Sequence, residues 1–377
     1  MATRKLGIVQ LLPALESGGV EQGTLEVANE LVRRGHNSIV ISAGGRLTER
    51  LTLAGSEHIN WAIGKKSLNT LMYITKLRQL LIQRQVDILH ARSRLPAWIA
   101  FAAWKSLPAN RRPRFITTVH GLYSVKYYSS IMARGEAVIA VSDTVKRYIL
   151  DNYPHTSPNS IHTIYRGVDT HRYYPDFRPS SAWTRKWYAE YPQTQGKKLL
   201  VLPGRLTRLK GHLDFLNILS GLRDAHSDLA NNTHGLIVGG EDPKRREYAR
   251  SLHESVTRLG LEEQVTFTGV RDDLREILSI SQIAFSLSNH PESFGRTTLE
   301  ALALGTPLIG YAHGGVGEIL ENLLPAGKIA PGDDEKLLSK TLDFLSKPPI
   351  PRTNNLYSTQ LMLDQTIELY EIARDWP

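Results

Sequence analysis

Apolar, β-rich runs alternating with amphipathic stretches predict an α/β protein of two doubly wound, Rossmann-like domains facing a central cleft. Three observations carry the expectation. The alternation occurs twice, in residues 1–170 and again in 190–355. Between about 169 and 195 it lapses into a stretch rich in Pro, aromatic and charged residues, which reads as the domain junction. The 377 residues also exceed what one hydrophobic core usually sustains.

The first series opens with the strand LGIVQLL, a helix from about Val20 to Arg34 and the strand NSIVISA, together a βαβ unit. A helix near 69–85, the strand VDILHA, a helix over about Pro96–Lys105 and the strands RFITTVHG and AVIAVS follow, the last leading into a helix over Asp143–Leu150. The second series is KKLLVLPG, GLIVGG, QVTFTG, IAFSLS and TPLIGYA, with helices between them. A final helix is expected over about Leu356–Arg374, after the Pro-rich residues 348–351. Parallel sheets of this kind bind ligands at the C-terminal ends of their strands.

Composition narrows the function classes. With 41% hydrophobic and 22% charged residues the chain is an ordinary globular one. The absence of cysteine excludes disulfides, thiolate zinc sites and cysteine nucleophiles, and fits a reducing compartment, with the cytoplasm as the default. The opening MATRKLGIVQLLPAL is broken by Gln10 and Pro13 and reads as a first strand. No apolar run approaches the roughly 20 residues of a membrane span, so any membrane association is expected to be peripheral. Net charge is +9, but residues 1–150 hold 21 Lys/Arg against 9 Asp/Glu, and 61–135 hold 13 Lys/Arg and the single acid Asp87. Such a bias points to anionic lipid, a phosphorylated acceptor or nucleic acid; the other reading is a solvated basic surface.

Four glycine-containing segments fall at strand ends. In Glu16–Glu21, Gly18 and Gly19 let the backbone approach an anion at a helix N-terminus, although turn glycines need no ligand. The dinucleotide fingerprint G-x-G-x-x-G and the P-loop are both absent. Leu202–Gly211 places Arg205 and Lys210 after Gly204 in a loop that should open the next helix, where two cations suit a diphosphate; a solvated surface loop is the alternative. His290–Gly305 holds Glu292 before a glycine turn, with Glu300 eight positions later among Leu299, Ala301 and Leu302. A carboxylate there needs a partner, such as a sugar diol or nearby backbone amides. Gly314-Gly315 follows TPLIGYA. No Asp-x-Asp metal motif occurs; Asp272-Asp273 and Asp333-Asp334 read as helix starts.

Gly18-Gly19, His120-Gly121, Gly204-Arg205 with Lys210-Gly211, Glu292-x7-Glu300 and Gly314-Gly315 together resemble the retaining GT-B glycosyltransferases of family 4, across essentially the whole chain. PESFGRTTLEALALGTP and GGVEQGTLEVANEL look like members that build lipopolysaccharide cores. The resemblance implies that residues 356–377 pack back on the first domain and that the second holds a nucleotide diphosphate-sugar. By that likeness Arg205 and Lys210 bind the diphosphate, Glu300 the ribose, and Glu292 the transferred sugar. Backbone around Phe294, Gly295, Arg296 and Thr297 would hold phosphate or sugar, with Val270 or Arg271 near the base. Gly18 and Gly19 would approach the phosphate, and His120 the sugar near its 6-position, although a histidine at a strand end is often structural.

The resemblance further implies front-face attack by the acceptor hydroxyl, Arg205 and Lys210 stabilising the departing diphosphate; the absence of an Asp-x-Asp motif predicts metal-independent activity, with no other cofactor expected. The acceptor, a glycan or glycolipid expected to be phosphorylated, is placed near Arg92, Arg94, Tyr123, Lys126, Tyr127 and Tyr128, at the cytoplasmic face of an anionic inner membrane. Two competitors remain: a sugar-nucleotide epimerase of the same fold, and a nucleic-acid-binding protein using the basic half. No recognisable binding motif supports the latter, so nucleic acid is not an expected partner.

Overall fold

The computed structural model describes residues 4–16, 18–225, 227–241 and 246–376. The chain divides into two compact units, Met1–Tyr165 with Gln360–Pro377, and Arg166–Thr359.

In the first unit, β1 (Gly7–Leu11), β2 (Asn37–Ser42), β3 (Glu57–Asn60), β4 (Ile88–Ala91), β5 (Arg114–Val119), β6 (Ala137–Ala140) and β7 (Ile161–Thr163) form one parallel sheet in the order β3-β2-β1-β4-β5-β6-β7. Ile8 of β1 pairs in register with Ser38 of β2 and Ile88 of β4. In the second unit, β8 (Lys198–Pro203), β9 (Thr233–Val238), β10 (Val265–Gly269), β11 (Ile283–Ser286), β12 (Leu308–Tyr311) and β13 (Lys328–Ile329) are also parallel, in the order β10-β9-β8-β11-β12-β13. Helices cover both faces of a doubly wound sheet, which is why strands such as β4, β6, β11 and β12 are buried along their whole length. The order reverses between β1 and β4 and between β8 and β11, and the crevices beyond those strand ends are where such sheets take ligands.

The last helix, Thr359–Arg374, belongs with the first unit. Met362, Leu363, Ile367, Tyr370 and Ala373 recur at helical spacing and join Leu6, Ile8, Val27, Ile88 and Ile116 in one buried cluster. Each fully buried aliphatic contributes about 1.5–3 kcal/mol relative to exposure. Tyr370 adds direction: its hydroxyl lies 2.5 Å from His90 Nδ1, and His90 Nε2 lies 2.7 Å from Thr118 Oγ1.

Two differences from the sequence reading have physical causes. Strands β7 and β13 are three and two residues long, too short to show a period, and β3, EHIN, has a single apolar residue. The stretch read as an irregular junction contains the helix Ser181–Glu190, capped by Ser180 accepting from the Trp183 amide. Trp183, Trp187 and Tyr191 recur every fourth residue; the two Trp rings stack with centroids 5.3 Å apart, and Tyr191 packs on Trp187 at a tilt. The second unit therefore starts at Arg166 and incorporates this segment. Among the described residues no helix is long and apolar enough to cross a membrane.

Candidate active site

In the second unit, close backbone contacts bring three strand-end loops together. The loop after β8 turns at Gly204, and a Cβ on Gly239, beyond β9, would lie 1.9 Å from the Gly204 carbonyl oxygen. Gly211, in the left-handed region at φ 69°, closes the loop; its Cβ would lie 2.0 Å from the Leu287 carbonyl oxygen, beyond β11. No larger residue fits at these crossings. Arg205 is exposed on this loop. Lys210 reaches out of it to Glu292, Nζ to Oε1 2.7 Å. His212 is fully buried at the start of the following helix; burial lowers its pKa to about 4 against contacts with the Gly204 and Thr207 backbone, so it is a neutral prop.

Glu292 also accepts from the Ser288 hydroxyl, and the Ser288 carbonyl oxygen lies 2.7 Å from His313 Nε2. Burial pushes the Glu292 carboxyl up, but Lys210, Ser288 and His313 outweigh it and hold the group below its usual range. It is a fixed carboxylate. The turn beyond it is wedged under Gly314-Gly315: a Cβ on Gly314, at φ 61°, would lie 2.6 Å from the Glu292 carbonyl oxygen, and one on Gly315 2.3 Å from Phe294 Cα. The Gly315 amide donates to that Glu292 carbonyl at 2.8 Å.

Phe294 is buried against Tyr357, and Gly295, left-handed at φ 100°, caps the helix Arg296–Ala303 without any side-chain cap. The amides of that first turn, through Arg296 and Thr297, therefore present an uncapped positive helix end. Glu300 is buried one turn on, with Arg296 Nη2 3.5 Å from its Oε1. Burial raises its pKa, opposed by Arg296 and Arg172. A carboxylate so weakly bonded has room for hydroxyl donors. Tyr173, pushed up to about 12 by burial and by the nearby Glu300, faces the same charge.

Arg172 and Tyr173 also line a cavity of about 510 Å³ with Trp183, Val270 and Arg271. Val270 is 79% exposed. The Arg271 side chain, by contrast, is engaged internally: it bonds both Asp273 oxygens at 2.8 and 2.9 Å and Glu190 at 2.9 Å, and lies over Trp187. Of the pair considered for base contact, Val270 carries the exposed side chain, while Arg271 ties β10's end to the helix Ser181–Glu190.

In the first unit, Gly18 caps the helix Gly19–Arg33 without a side-chain hydrogen bond, and a Cβ on it would lie 2.6 Å from Glu21 Oε2. Ser17, in the same motif, lies outside the described residues. His120 follows β5, and its amide donates to Tyr123 Oη at 3.3 Å. Arg94 lies over the rings of Tyr123 at 4.8 Å and Tyr128 at 5.4 Å, Tyr127 packs on Trp98, and Lys126 is exposed. Arg92 differs from expectation. It is 2% exposed and donates through Nε to Gln10 Oε1 at 2.8 Å, so it braces the interior beside β1 and offers no surface cation.

Sequence reasoning missed Ser288, His313, Arg172 and Tyr173. The last two lie in the stretch read as a junction, and His313 directly precedes Gly314-Gly315, the only signal that could have found it.

Residues 17–172 match the profile Glycosyltransferase Family 4, and residues 184–359 match Glycosyl transferases group 1. A glycosyltransferase from Rickettsia africae ESF-5 is 30% identical, with 99% of this chain and 100% of that one covered and a TM-score of 0.84. N-acetyl-alpha-D-glucosaminyl L-malate synthase from Bacillus anthracis is 26% identical over 335 residues, 84% of this chain and 81% of that protein. Anabaena HepE, solved in complex with UDP and glucose, is 20% identical over 97% of this chain and 99% of its own, with a TM-score of 0.78, a likeness of fold. Two consecutive profiles and a relative aligned over its full length agree with the paired sheets, and the chain belongs to the GT-B glycosyltransferases of the family 4 and group 1 type.

Proposed function

We propose that this protein is a retaining, metal-independent hexosyltransferase that moves a sugar from a nucleoside diphosphate-sugar to a hydroxyl of a cell-envelope glycolipid, of the lipopolysaccharide core type. The observation that carries the donor reading is the Lys210–Glu292 pair at 2.7 Å, just before the uncapped end at Gly295 of the helix that carries the buried Glu300. Each group has one task in that reading. Glu300 accepts the ribose hydroxyls, with the base beyond it toward Val270; the binding of UDP by HepE supports a uridine donor. Arg205 and Lys210 neutralise the diphosphate, together with the amides of Gly295, Arg296 and Thr297. Glu292, kept ionised, orients the sugar hydroxyls. The family resemblance assigns Gly18, Gly19 and His120 to phosphate and sugar.

The acceptor oxygen attacks C1 on the face from which the diphosphate departs. The bond from C1 to the β-phosphate oxygen breaks, and the acceptor proton passes to that phosphate. The protein's share is positioning and charge stabilisation, largest where charge grows on the leaving oxygen. The acceptor side, with Arg94, Tyr123, Lys126 and Tyr127, suits a phosphorylated glycolipid at the cytoplasmic face of an anionic membrane; motif resemblance and the basic first unit support this.

The test pairs a nucleotide-sugar panel with product analysis. One donor should raise the melting temperature well above the rest, and transfer to a glycolipid acceptor should preserve the donor's anomeric configuration by NMR. An inverted product, or a free epimerised sugar nucleotide formed without acceptor, would refute the proposal.

A further inference from the structure

In the first unit, the turn after β3 exposes large apolar side chains on a rigid support. Leu68 is 86%, Leu71 56% and Met72 52% exposed. They are not on a loose loop: Ser67 caps the turn by accepting from the Asn69 amide, and the buried Thr70 hydroxyl donates to the Lys65 carbonyl oxygen at 2.5 Å. Beside them opens a cavity of about 430 Å³ whose walls are Leu71, Leu95, Ile99 and Tyr128, with Lys65 and Lys66 also lining it. Tyr128 continues the surface to Arg94, which lies over its ring, and the Tyr128 carbonyl is held by Trp98. Tyr127 beside it is 73% exposed, between Trp98 and Arg134.

Exposed apolar groups at fixed positions, flanked by Lys65 and Lys66, match the chemistry of an anionic bilayer: hydrocarbon for the leucines, phosphate for the ammonium groups. Between residues 61 and 135 the only acid is Asp87, so almost nothing opposes that attraction. A protein partner of mixed charge would find cations but, between residues 61 and 135, only the one acid Asp87 to meet its own cations.

We infer that Ser67–Met72 is a membrane-inserting wedge, and that the Leu71–Leu95–Ile99–Tyr128 groove holds an acyl chain of an anionic phospholipid whose phosphate rests on Lys65 and Lys66. The inference deepens the membrane-bound acceptor reading and rests on it. The wedge brings the enzyme to the layer where its acceptor lies, and the groove pins one lipid beside Arg94.

The experiment uses the full-length protein with neither donor nor acceptor, so its outcome is separate from that of glycosyl transfer. Sedimentation with phosphatidylglycerol vesicles should show binding that weakens with salt, while phosphatidylcholine vesicles bind poorly. Leu68→Ser with Leu71→Ser should weaken binding at least about tenfold, and Lys65→Ala with Lys66→Ala about 30-fold. Both variants should keep the wild-type melting temperature and nucleotide binding. A phosphatidylglycerol with a photoactivatable acyl chain should label Leu71, Leu95, Ile99 or Tyr128. Equal binding to both lipids, unchanged binding by the leucine variant, or labelling elsewhere would overturn the inference. So would wild-type self-association that the leucine variant abolishes, because a second copy would then cover the face.

Discussion

Replacing Lys210 with methionine removes the charge and keeps most of the side-chain volume. Lys210 Nζ lies 2.7 Å from Glu292 Oε1, with the side chains 32% and 25% exposed. At an effective dielectric near 20, unit charges this close attract by roughly 6 kcal/mol. Desolvation of both groups offsets most of it, leaving a net coupling of about 1–3 kcal/mol. The consequence for Glu292 has a definite sign. In the wild type its folded pKa lies below the usual range, so it contributes stability that is present above the unfolded pKa and lost as pH falls through the folded one. Without Lys210, burial dominates and the folded pKa rises above the unfolded value. Its contribution then favours the fold at low pH and is lost as pH rises through the new pKa. Urea midpoints from about pH 4 to 7 should therefore fall with rising pH relative to the wild type. In catalysis, charge on the leaving diphosphate is greatest in the transition state, so kcat should fall about 10²–10³-fold while KM for the donor changes far less. Steady-state kinetics with varied donor decide the matter. An unchanged kcat, or a loss confined to KM, would refute the leaving-group role; a parallel pH profile would refute the electrostatic account of Glu292.

Glu300→Gln should trade stability against binding. Burial holds the Glu300 pKa above its unfolded value, so the ionised form is penalised at neutral pH and the ligand-free variant should melt higher. Nucleoside diphosphate affinity by calorimetry should fall about 10–100-fold, and unchanged affinity would contradict a ribose contact. Arg92→Met should lower the unfolding free energy by about 1–3 kcal/mol, since the Gln10 amide oxygen loses its buried donor. The folded fraction should retain the wild-type acceptor KM; a selective rise in that KM at wild-type stability would return Arg92 to the acceptor surface. Gln85 sits at φ 47° after the helix Met72–Gln83, in the left-handed region where glycine is unstrained. Gln85→Gly should thus stabilise the protein by about 1 kcal/mol in urea unfolding.

The candidate site was legible where chemistry depends on local spacing. Arg205 and Lys210 share one loop, and Glu292 and Glu300 lie on either side of one helix start, so the order of residues already placed them in the loops and the helix that follow the strands. Arg172 and Tyr173 were not legible, because their relation to Glu300 is made by folding across more than a hundred residues. His313 stood beside a glycine pair that was read, but its link to Glu292 runs through Ser288 and exists only once the loops after β11 and β12 meet.

The contrast is sharpest at Arg92 and Arg94, two cations two positions apart after the same strand. Their types and net charge are properties of the sequence, as are the twofold run of alternating strands and helices and the glycines at the strand ends. Those follow from periodicity, which is local. Only the tertiary structure turned Arg92 inward onto Gln10 and left Arg94 over Tyr123 and Tyr128, brought Lys210 to Glu292, and seated the last helix on the first sheet. Side-chain burial and pairing depend on which surfaces meet, and distant parts of the chain supply those surfaces.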